Sequence, residues 1–266
     1  MNKKICIFTI CTLDFLANAQ VSLDSAIANI ICDTNTIDSC IVLVDSDPDK
    51  KIPEYITHKI ISAPDSLFVA ESMDRKRWKA KPYYIKSLLS KYDTIIYIDT
   101  DIYFVNNCSS IIDEIHSAGI LLTKHNRPIL PNLNSPFIFN QFLSIFTEGF
   151  FNAGFIGACK KGSESIDWWN SVVQWNCSKD KCNGLYDDQK YLDILALQFN
   201  EQVKISNNYG YNVSHWNIFN PNITNSKHIF YHFSGNNKLQ QINNIMYDAY
   251  CEYIDKVNKL KNKNII

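Results

Sequence analysis

Short apolar runs separated by segments of helical period constrain this chain most. Ile5 to Ile10 is such a run, of the kind a strand shows when both of its faces are buried. Leu23, Ala26, Ile27, Ile30 and Ile31 then recur at helical spacing, and Ile41 to Val44 form a second buried run that ends at Asp45. Strand, helix, strand in that order predicts a parallel sheet with helices packed on its outside. Ile85, Leu88, Leu89 and Tyr92 mark another helix face, which leads into Thr94-Ile95-Ile96-Tyr97-Ile98, a third buried strand. The fold class is therefore α/β.

The middle of the chain is less regular. Residues 125–150 hold three prolines, several asparagines and a run of aromatics, which reads as a long loop or lid. Trp168, Trp169, Val172 and Val173 predict a helix, as do Leu192, Leu195, Ala196 and Phe199. Ile245, Met246, Ala249, Tyr250, Tyr253, Val257 and Leu260 keep helical period almost to the end. The 266 residues show no repeat, low-complexity linker or break in composition, so a single domain is expected over 1–266. Acidic and basic residues nearly cancel, 27 against 26, and no global field recruits nucleic acid.

The nine cysteines are odd in number and scattered, with no paired CxxC set. Reduced thiols in a cytosol fit better than a zinc site or a disulfide framework. The start, Met1-Asn2-Lys3-Lys4 before Ile5-Cys6-Ile7-Phe8, resembles a signal peptide only briefly, because Thr9, Thr12 and Asp14 interrupt it. No stretch reaches the roughly 20 apolar residues of a spanning helix. A soluble or peripheral protein is expected.

The most telling feature is Ile95-Ile96-Tyr97-Ile98-Asp99-Thr100-Asp101, an apolar strand that ends abruptly in two carboxylates. In open α/β sheets ligands bind at the carboxyl ends of strands, so both acids should face a cleft. Carboxylates at this spacing suit a hard divalent cation that also holds diphosphate oxygens. The plainer alternative is that they cap the strand or the following turn. A haloacid-dehalogenase-type phosphatase also uses strand-Asp-x-Asp, but usually after its first strand and with Thr or Val where Tyr103 stands here.

With Asp99-Thr100-Asp101 at its centre, the chain resembles the GT-A glycosyltransferases related to glycosyltransferase family 8. The likeness includes Phe8-Thr9-Ile10-Cys11-Thr12, Lys79-Ala80-Lys81-Pro82, Phe151-Asn152-Ala153-Gly154, Asp188-Gln189 and His232-Phe233-Ser234-Gly235-Asn236-Asn237-Lys238. The last segment keeps His232, Gly235 and Lys238 of the family's H-x-x-G-x-x-K-P-W pattern, with Leu239 and Gln240 in place of Pro and Trp. The fold it implies is a mixed, mostly parallel, Rossmann-like sheet flanked by helices, with a helical C-terminal tail. About 1–125 would form a nucleotide-binding half, about 126–238 a donor-sugar and acceptor half, and about 239–266 an amphipathic helix.

The resemblance also implies roles. Asp99, Asp101 and His232 would hold Mn2+ or Mg2+, with Asp99 and Thr100 near the donor; a neutral imidazole suits a manganese-like ion. Thr9, Cys11 and Thr12 would contact the base. Lys81, rather than Lys79 on another side of its helix, would meet the donor. Pro82 fits the first turn of that helix. Asn152, Ala153 and Gly154 would support the donor sugar, although Asn and Gly also favour a tight turn. Asp188 would bond sugar hydroxyls, with Gln189 beneath the anomeric carbon; as alternatives Asp188 is only a helix N-cap, or Asp187 takes its place. Gly235 would let the backbone approach a phosphate and Lys238 would add a positive charge. The stretch Tyr211-Asn212-Val213-Ser214-His215-Trp216-Asn217 carries less weight.

The implied activity is transfer of a sugar, with retention, from a nucleotide diphosphate donor, UDP-sugar by kinship, to a glycan or lipid-linked acceptor. Two other classes stay open. A sugar-nucleotide pyrophosphorylase would show a glycine-rich loop after its first strand, which Thr9 to Leu13 lacks. A sugar-nucleotide-binding protein without turnover is the other. Lys256, Lys259, Lys261 and Lys263 beside the apolar stripe of the tail are compatible with a cationic helix on an anionic membrane, hence with a cytoplasmic protein peripheral to the inner face. A terminal helix packed on the core explains the same pattern.

Overall fold

Why the apolar runs are unbroken is plain from the layers on either side of them. The computed structural model describes residues 3–30, 36–45, 51–64, 66, 71–235 and 244–263. The first run is β1 (Lys4–Cys11), buried from Ile5 onward. Its side chains alternate: Ile5 and Ile7 join Leu16, Leu23, Ile96 and Ile98 on one face of the sheet. Cys6, Phe8 and Ile10 join Ile85, Leu89, Ile95 and Trp169 on the other. Each face is covered by helices, so neither phase of the strand can be polar.

Helix α1 (Leu16–Asn29) follows, then β2 (Thr36–Leu43), β3 (Lys59–Ser62), α2 (Met73–Leu89), β4 (Thr94–Ile98), β5 (Ile102–Phe104), α3 (Ile111–Ala118) and β6 (Ile120–Lys124). The second half supplies α4 (Pro136–Glu148), β7 (Phe151–Cys159), α5 (Ser163–Trp175), α6 (Tyr191–Gln198), β8 (Val203–Ile205), α7 (Pro221–Thr224), β9 (Phe230–His232) and α8 (Asn244–Asn262). Seven strands form one sheet in the order β3-β2-β1-β4-β7-β6-β8, and β5 pairs with β9 apart from it. All neighbours in the large sheet are parallel except at β7, which runs against both β4 and β6. The mixed, mostly parallel α/β sheet flanked by helices is thus present. Among the described residues no helix is long and apolar enough to cross a membrane, and every cysteine is a free thiol.

Two local expectations need correction, and one alternative falls away. Residues 125–150 are not all loop: Ser135 Oγ accepts from Ile138 N at 3.4 Å, Pro136 opens α4 in its first turn, and Gly149 at φ 95° ends it. Its sequence carries no clear helical signal because Phe137, Leu143 and Phe146 stay exposed and trace no core face. Pro82 lies inside α2 rather than in its first turn, since Ser72 caps that helix and it begins at Met73. An interior proline costs about 3 kcal/mol in a bare helix; here α2 buries Ala80, Tyr84, Ile85, Leu88 and Leu89, and Lys79 O accepts from Gln174 Nε2 at 2.9 Å. Phe151-Asn152-Ala153-Gly154 opens strand β7, which removes the alternative of a tight turn.

The apolar stripe of the C-terminal helix faces inward. Met246, Tyr253 and Val257 pack with Ala17, Val21, Tyr103, Val213 and Phe233. Tyr253 OH donates to Thr100 O at 2.8 Å and accepts from Asn18 Nδ2 at 2.7 Å. Lys256 Nζ donates to Tyr103 OH at 2.6 Å and pairs with Glu252 at 2.8 Å. The stripe that would enter a membrane is spent on the core, and it ties α8 to the acidic turn.

Replacing Tyr253 with Ala should therefore cost about 3 kcal/mol of stability, and Tyr253→Phe about 1–2 kcal/mol for the stranded Thr100 carbonyl. Urea unfolding of the two variants measures this; wild-type midpoints in both would mean that α8 is not docked in solution.

Candidate functional site

Backbone hydrogen bonds fix the Asp99-Thr100-Asp101 turn before its side chains are considered. Asp99 N donates to Gly154 O on β7 at 2.7 Å. Asp99 O accepts from Ile102 N at 3.1 Å and from Ser22 Oγ of α1 at 3.1 Å. Thr100 O is held by Tyr253 OH, and Asp101 O accepts from Phe233 N at 2.9 Å. The turn is anchored from α1, α8, β7 and the end of β9. Pairing of β5 with β9 sets Ile102 opposite His232, and so delivers a histidine distant in sequence to the two acids.

His232 Nε2 lies 3.2 Å from Asp101 Oδ1 and 3.8 Å from Asp99 Oδ2. Its other nitrogen, Nδ1, is 3.1 Å from Asn212 Oδ1, while Asn212 Nδ2 donates to Lys124 O at 3.4 Å. With the amide oriented that way, Nδ1 donates to Asn212 and Nε2 is turned toward the carboxylates. Three potential ligand atoms converge there, all within 4.8 Å of one another. A proton on Nε2 or a cation among them would bind the two carboxylates together; this group could hold a metal ion. Tyr97 OH steadies Asp99 Oδ1 from the same strand. Burial, then the Asp99 carboxylate, push that phenol well above its ordinary range, so it remains a donor.

Gly154 is small for a reason visible in the coordinates. A Cβ there would stand 2.4 Å from His232 Cε1, 2.8 Å from Asn152 Oδ1 and 3.0 Å from Asp99 Oδ2. Any side chain would displace the histidine or the acid.

The acids open into a cleft of about 570 Å³ whose lining includes Lys81, Thr100, Asn152, Ala153, Asp188, Gln189 and Gly235. Buried Lys81 pairs with buried Asp188 at 2.8 Å and donates to Ala153 O at 2.9 Å. Burial works to lower the Lys81 ammonium, but Asp188 and Asp99 outweigh it and its pKa is raised. Burial raises the Asp188 carboxyl, with Lys81 opposing. Lys79 points elsewhere and meets Glu71 at 2.5 Å. Asp187, at φ 46°, is the residue that caps the turn, accepting from Gln189 N at 2.9 Å. Burial and then its neighbour Asp188 push Asp187 well up. Asp188 is no N-cap, since α6 begins at Tyr191 with Lys190 at the cap position.

The amides of Asn152 and Gln189 are largely committed within the protein. Asn152 Oδ1 accepts from Gly154 N at 2.9 Å, and its Nδ2 donates to Gln189 Oε1 at 3.3 Å. Gln189 Oε1 also accepts from Ala153 N at 3.2 Å, and Nε2 donates to Glu148 O at 2.9 Å. They brace the start of β7 against the end of α4.

Some expected residues lie elsewhere. Thr9 and Cys11, at 0% and 1% exposure, turn to the face of the sheet opposite Ile10, and it is Ile10 that lines the cleft; Thr12 is not in the lining either. Strand alternation dictates this. Lys238, Leu239 and Gln240 lie outside the described residues. Gly235 has φ 115° and lines the rim with Ser234.

Other residues matter more than the sequence suggested. The stretch Tyr211–Asn217 supports the site throughout: Asn212 orients His232, Ser214 Oγ donates to His232 O at 2.6 Å, and Asn217 Nδ2 binds both His125 O and Asn212 O at 2.9 Å. Trp216 packs edge-on against His232, with ring centres 5.3 Å apart, and against His125 at 5.5 Å. His125, Arg127 and Glu148 line the far end of the cleft. Tyr97 could have been found, because two residues before Asp99 on a strand means the same face.

No family model matches the chain. It is similar to the uncharacterized protein YfnD of Bacillus subtilis (strain 168), with 31% identity over 175 residues, which is 59% of this chain and 52% of that protein. The uncharacterized protein YfnF of the same strain is 26% identical over 186 residues, 64% of this chain and 60% of that protein. The matched segments span little more than half of these relatives, and neither name states a function.

Two measurements follow. Asn212→Gly keeps the left-handed backbone but removes the acceptor for His232 Nδ1, and whichever divalent ion of a Mn2+, Mg2+ and Zn2+ panel the group takes up should bind about 10- to 100-fold more weakly in calorimetry; unchanged affinity would discount that acceptor. The second concerns pH. Burial, then Arg127, hold His125 well below the ordinary imidazole range. Burial, then His232 and Arg127, hold His215 at about 4. Because the folded values lie below the unfolded one, the unfolded chain binds the extra protons and stability present above pH 6.5 is lost toward pH 4. Each histidine contributes at most about 1.4 kcal/mol per pH unit. The His125→Gln, His215→Gln double variant should flatten the urea-midpoint profile across that window; an unaltered slope would trace the acid lability to other groups.

Proposed function

We propose that the chain is a metal-dependent glycosyltransferase of GT-A architecture that moves a sugar from a nucleoside diphosphate donor to a glycan or lipid-linked saccharide. The observation that carries this reading is the meeting of Asp99, Asp101 and His232 at the carboxyl end of β4, in a cleft that also holds the Lys81–Asp188 pair. The mixed, mostly parallel sheet is the architecture that the resemblance implies.

The donor set of two carboxylates and one imidazole suits Mn2+ or Mg2+, more readily Mn2+ because of the nitrogen ligand. Bound there, such an ion would supply positive charge to the departing diphosphate. The chain's own groups do the rest. Thr100 and the backbone at Gly235 form the wall nearest the acids. Asp188, steadied by Lys81, accepts hydrogen bonds from sugar hydroxyls. Asn152 and Gln189 act as positioning residues, because their amides are committed to Gly154, Ala153 and Glu148.

Retention is the stereochemical outcome we favour, by attack on the face the diphosphate leaves. An inverting enzyme needs a general base at the incoming hydroxyl, most simply a free carboxylate. Beyond the acid cluster, the cleft's carboxylates are all engaged: Asp188 by Lys81 at 2.8 Å, Glu148 by Arg127 at 2.6 Å and Lys181 at 2.9 Å, and Asp187 by Gln189 N at 2.9 Å. The leaving phosphate oxygen then takes the proton of the incoming hydroxyl. Uridine as the base and a cytoplasmic setting remain parts of the proposal that rest on kinship.

A panel of nucleotide sugars incubated with the chain and Mn2+ tests the reading. Nucleotide release that EDTA abolishes, and that Asp101→Asn lowers by roughly 100-fold or more, is expected. Binding without release would make the protein a sugar-nucleotide binder, and turnover only with pyrophosphate would make it a pyrophosphorylase.

A further inference from the structure

The cleft has a second polar end that the proposed chemistry leaves unused. Arg127, only 9% exposed, is buried there. Its Nη2 meets Glu148 Oε2 at 2.6 Å, while Nε and Nη1 are buried and have no hydrogen-bond partner among the described residues. Trp216 Nε1, in the wall of the same cleft, is likewise buried without a partner. Each buried donor left unmatched costs about 1–3 kcal/mol, more when it belongs to a charged group. Native proteins match nearly all such groups. Donors in excess, in the lining of an open cleft, call for an acceptor from outside.

Charge as well as hydrogen bonding favours an anion. Glu148 is the acid at this end, and it is shared by two cations, Arg127 and Lys181, the latter at 2.9 Å. The next acid, Asp187, has Lys179 at 3.7 Å. His125 and His215 add no charge near neutrality, since burial holds both low. His125 Nδ1 is spent on Gly149 O at 3.2 Å. Arg127 and half-exposed Lys181 thus outnumber Glu148 by one charge, and an anion would both fill the hydrogen bonds and meet that charge, whereas a neutral hydroxyl or a water would only fill the bonds. Trp216 touches both His232 and His125, so its ring stands between this end and the acid cluster.

We infer that the Arg127 end binds a negatively charged group, a carboxylate or a phosphate, carried by the sugar portion of a substrate and separate from the donor diphosphate. That the ligand is a sugar rests on the glycosyltransferase reading; that it is an anion rests on Arg127, Glu148, Lys181 and Trp216. The substrate class narrows accordingly to acidic saccharides.

The test titrates the full chain with glucuronate, glucose 6-phosphate and glucose, following tryptophan fluorescence, with and without Mn2+ and UDP. At least one charged sugar should bind about tenfold more tightly than glucose, the worth of one charge-assisted hydrogen bond. Which of the two does so identifies the anion. Arg127→Gln should abolish the preference, and Arg127→Lys should keep part of it; thermal melting confirms that each variant is folded. Equal binding of charged and neutral sugars by the wild type, or a preference that survives in Arg127→Gln, would overturn the inference. Separately, UDP with Mn2+ failing to bind the wild type would count against the glycosyltransferase reading, while the charged-to-neutral preference measured without nucleotide would still decide the role of Arg127.

Discussion

Everything at the centre of this molecule follows from one convergence: two carboxylates and an imidazole nitrogen are held face to face. The two carboxylates, left to themselves, would separate. They cannot, because each carbonyl of the Asp99–Asp101 turn is tied to a different part of the fold, and because Asn212 fixes the ring of His232. The folded chain sets this geometry from its backbone, which is how preorganised sites hold their shape before any ligand arrives. Gly154 belongs to the same arrangement, for it keeps clear the volume in which the three side chains meet.

The reversed strand β7 joins this centre to the rest of the cleft. Its first residues face Asp99 on one side, through Gly154 O, and Gln189 on the other, through Ala153 N. Gln189 in turn reaches Glu148 at the end of α4. A short stretch of backbone thus sets the spacing between the acid cluster, the Lys81–Asp188 pair and the Arg127 end. Two amides committed to such bracing serve the framework of the cleft.

Local patterns in the sequence were legible where one physical cause dominated. Ile5 to Ile10 and Thr94 to Ile98 are strands because both faces are buried, and no competing signal obscures that. Asp99 and Asp101 stand out because two carboxylates, with one residue between them, end the run. The joining of His232 to them was readable only through resemblance, since the pairing of β5 with β9 leaves no local trace. Side-chain phase was the commonest failing: Thr9 and Cys11 belong to the right strand but face away from the cleft. Helix α4 was hidden because its apolar residues are exposed, and interior Pro82 because a serine cap farther back outweighs the usual place of proline. Arg127 gave no signal at all; only its unmatched nitrogens in three dimensions mark it.

Tyr253 carries a consequence of another kind. Its hydroxyl bonds the last helix to the middle residue of the acidic turn, so the order of the turn and the docking of that helix are linked equilibria. Linkage works equally in both directions. Whatever factor of ion affinity the docked helix confers, an ion in the site must return to the helix as resistance to fraying, and occupancy at the centre becomes readable as protease protection at the chain's far end.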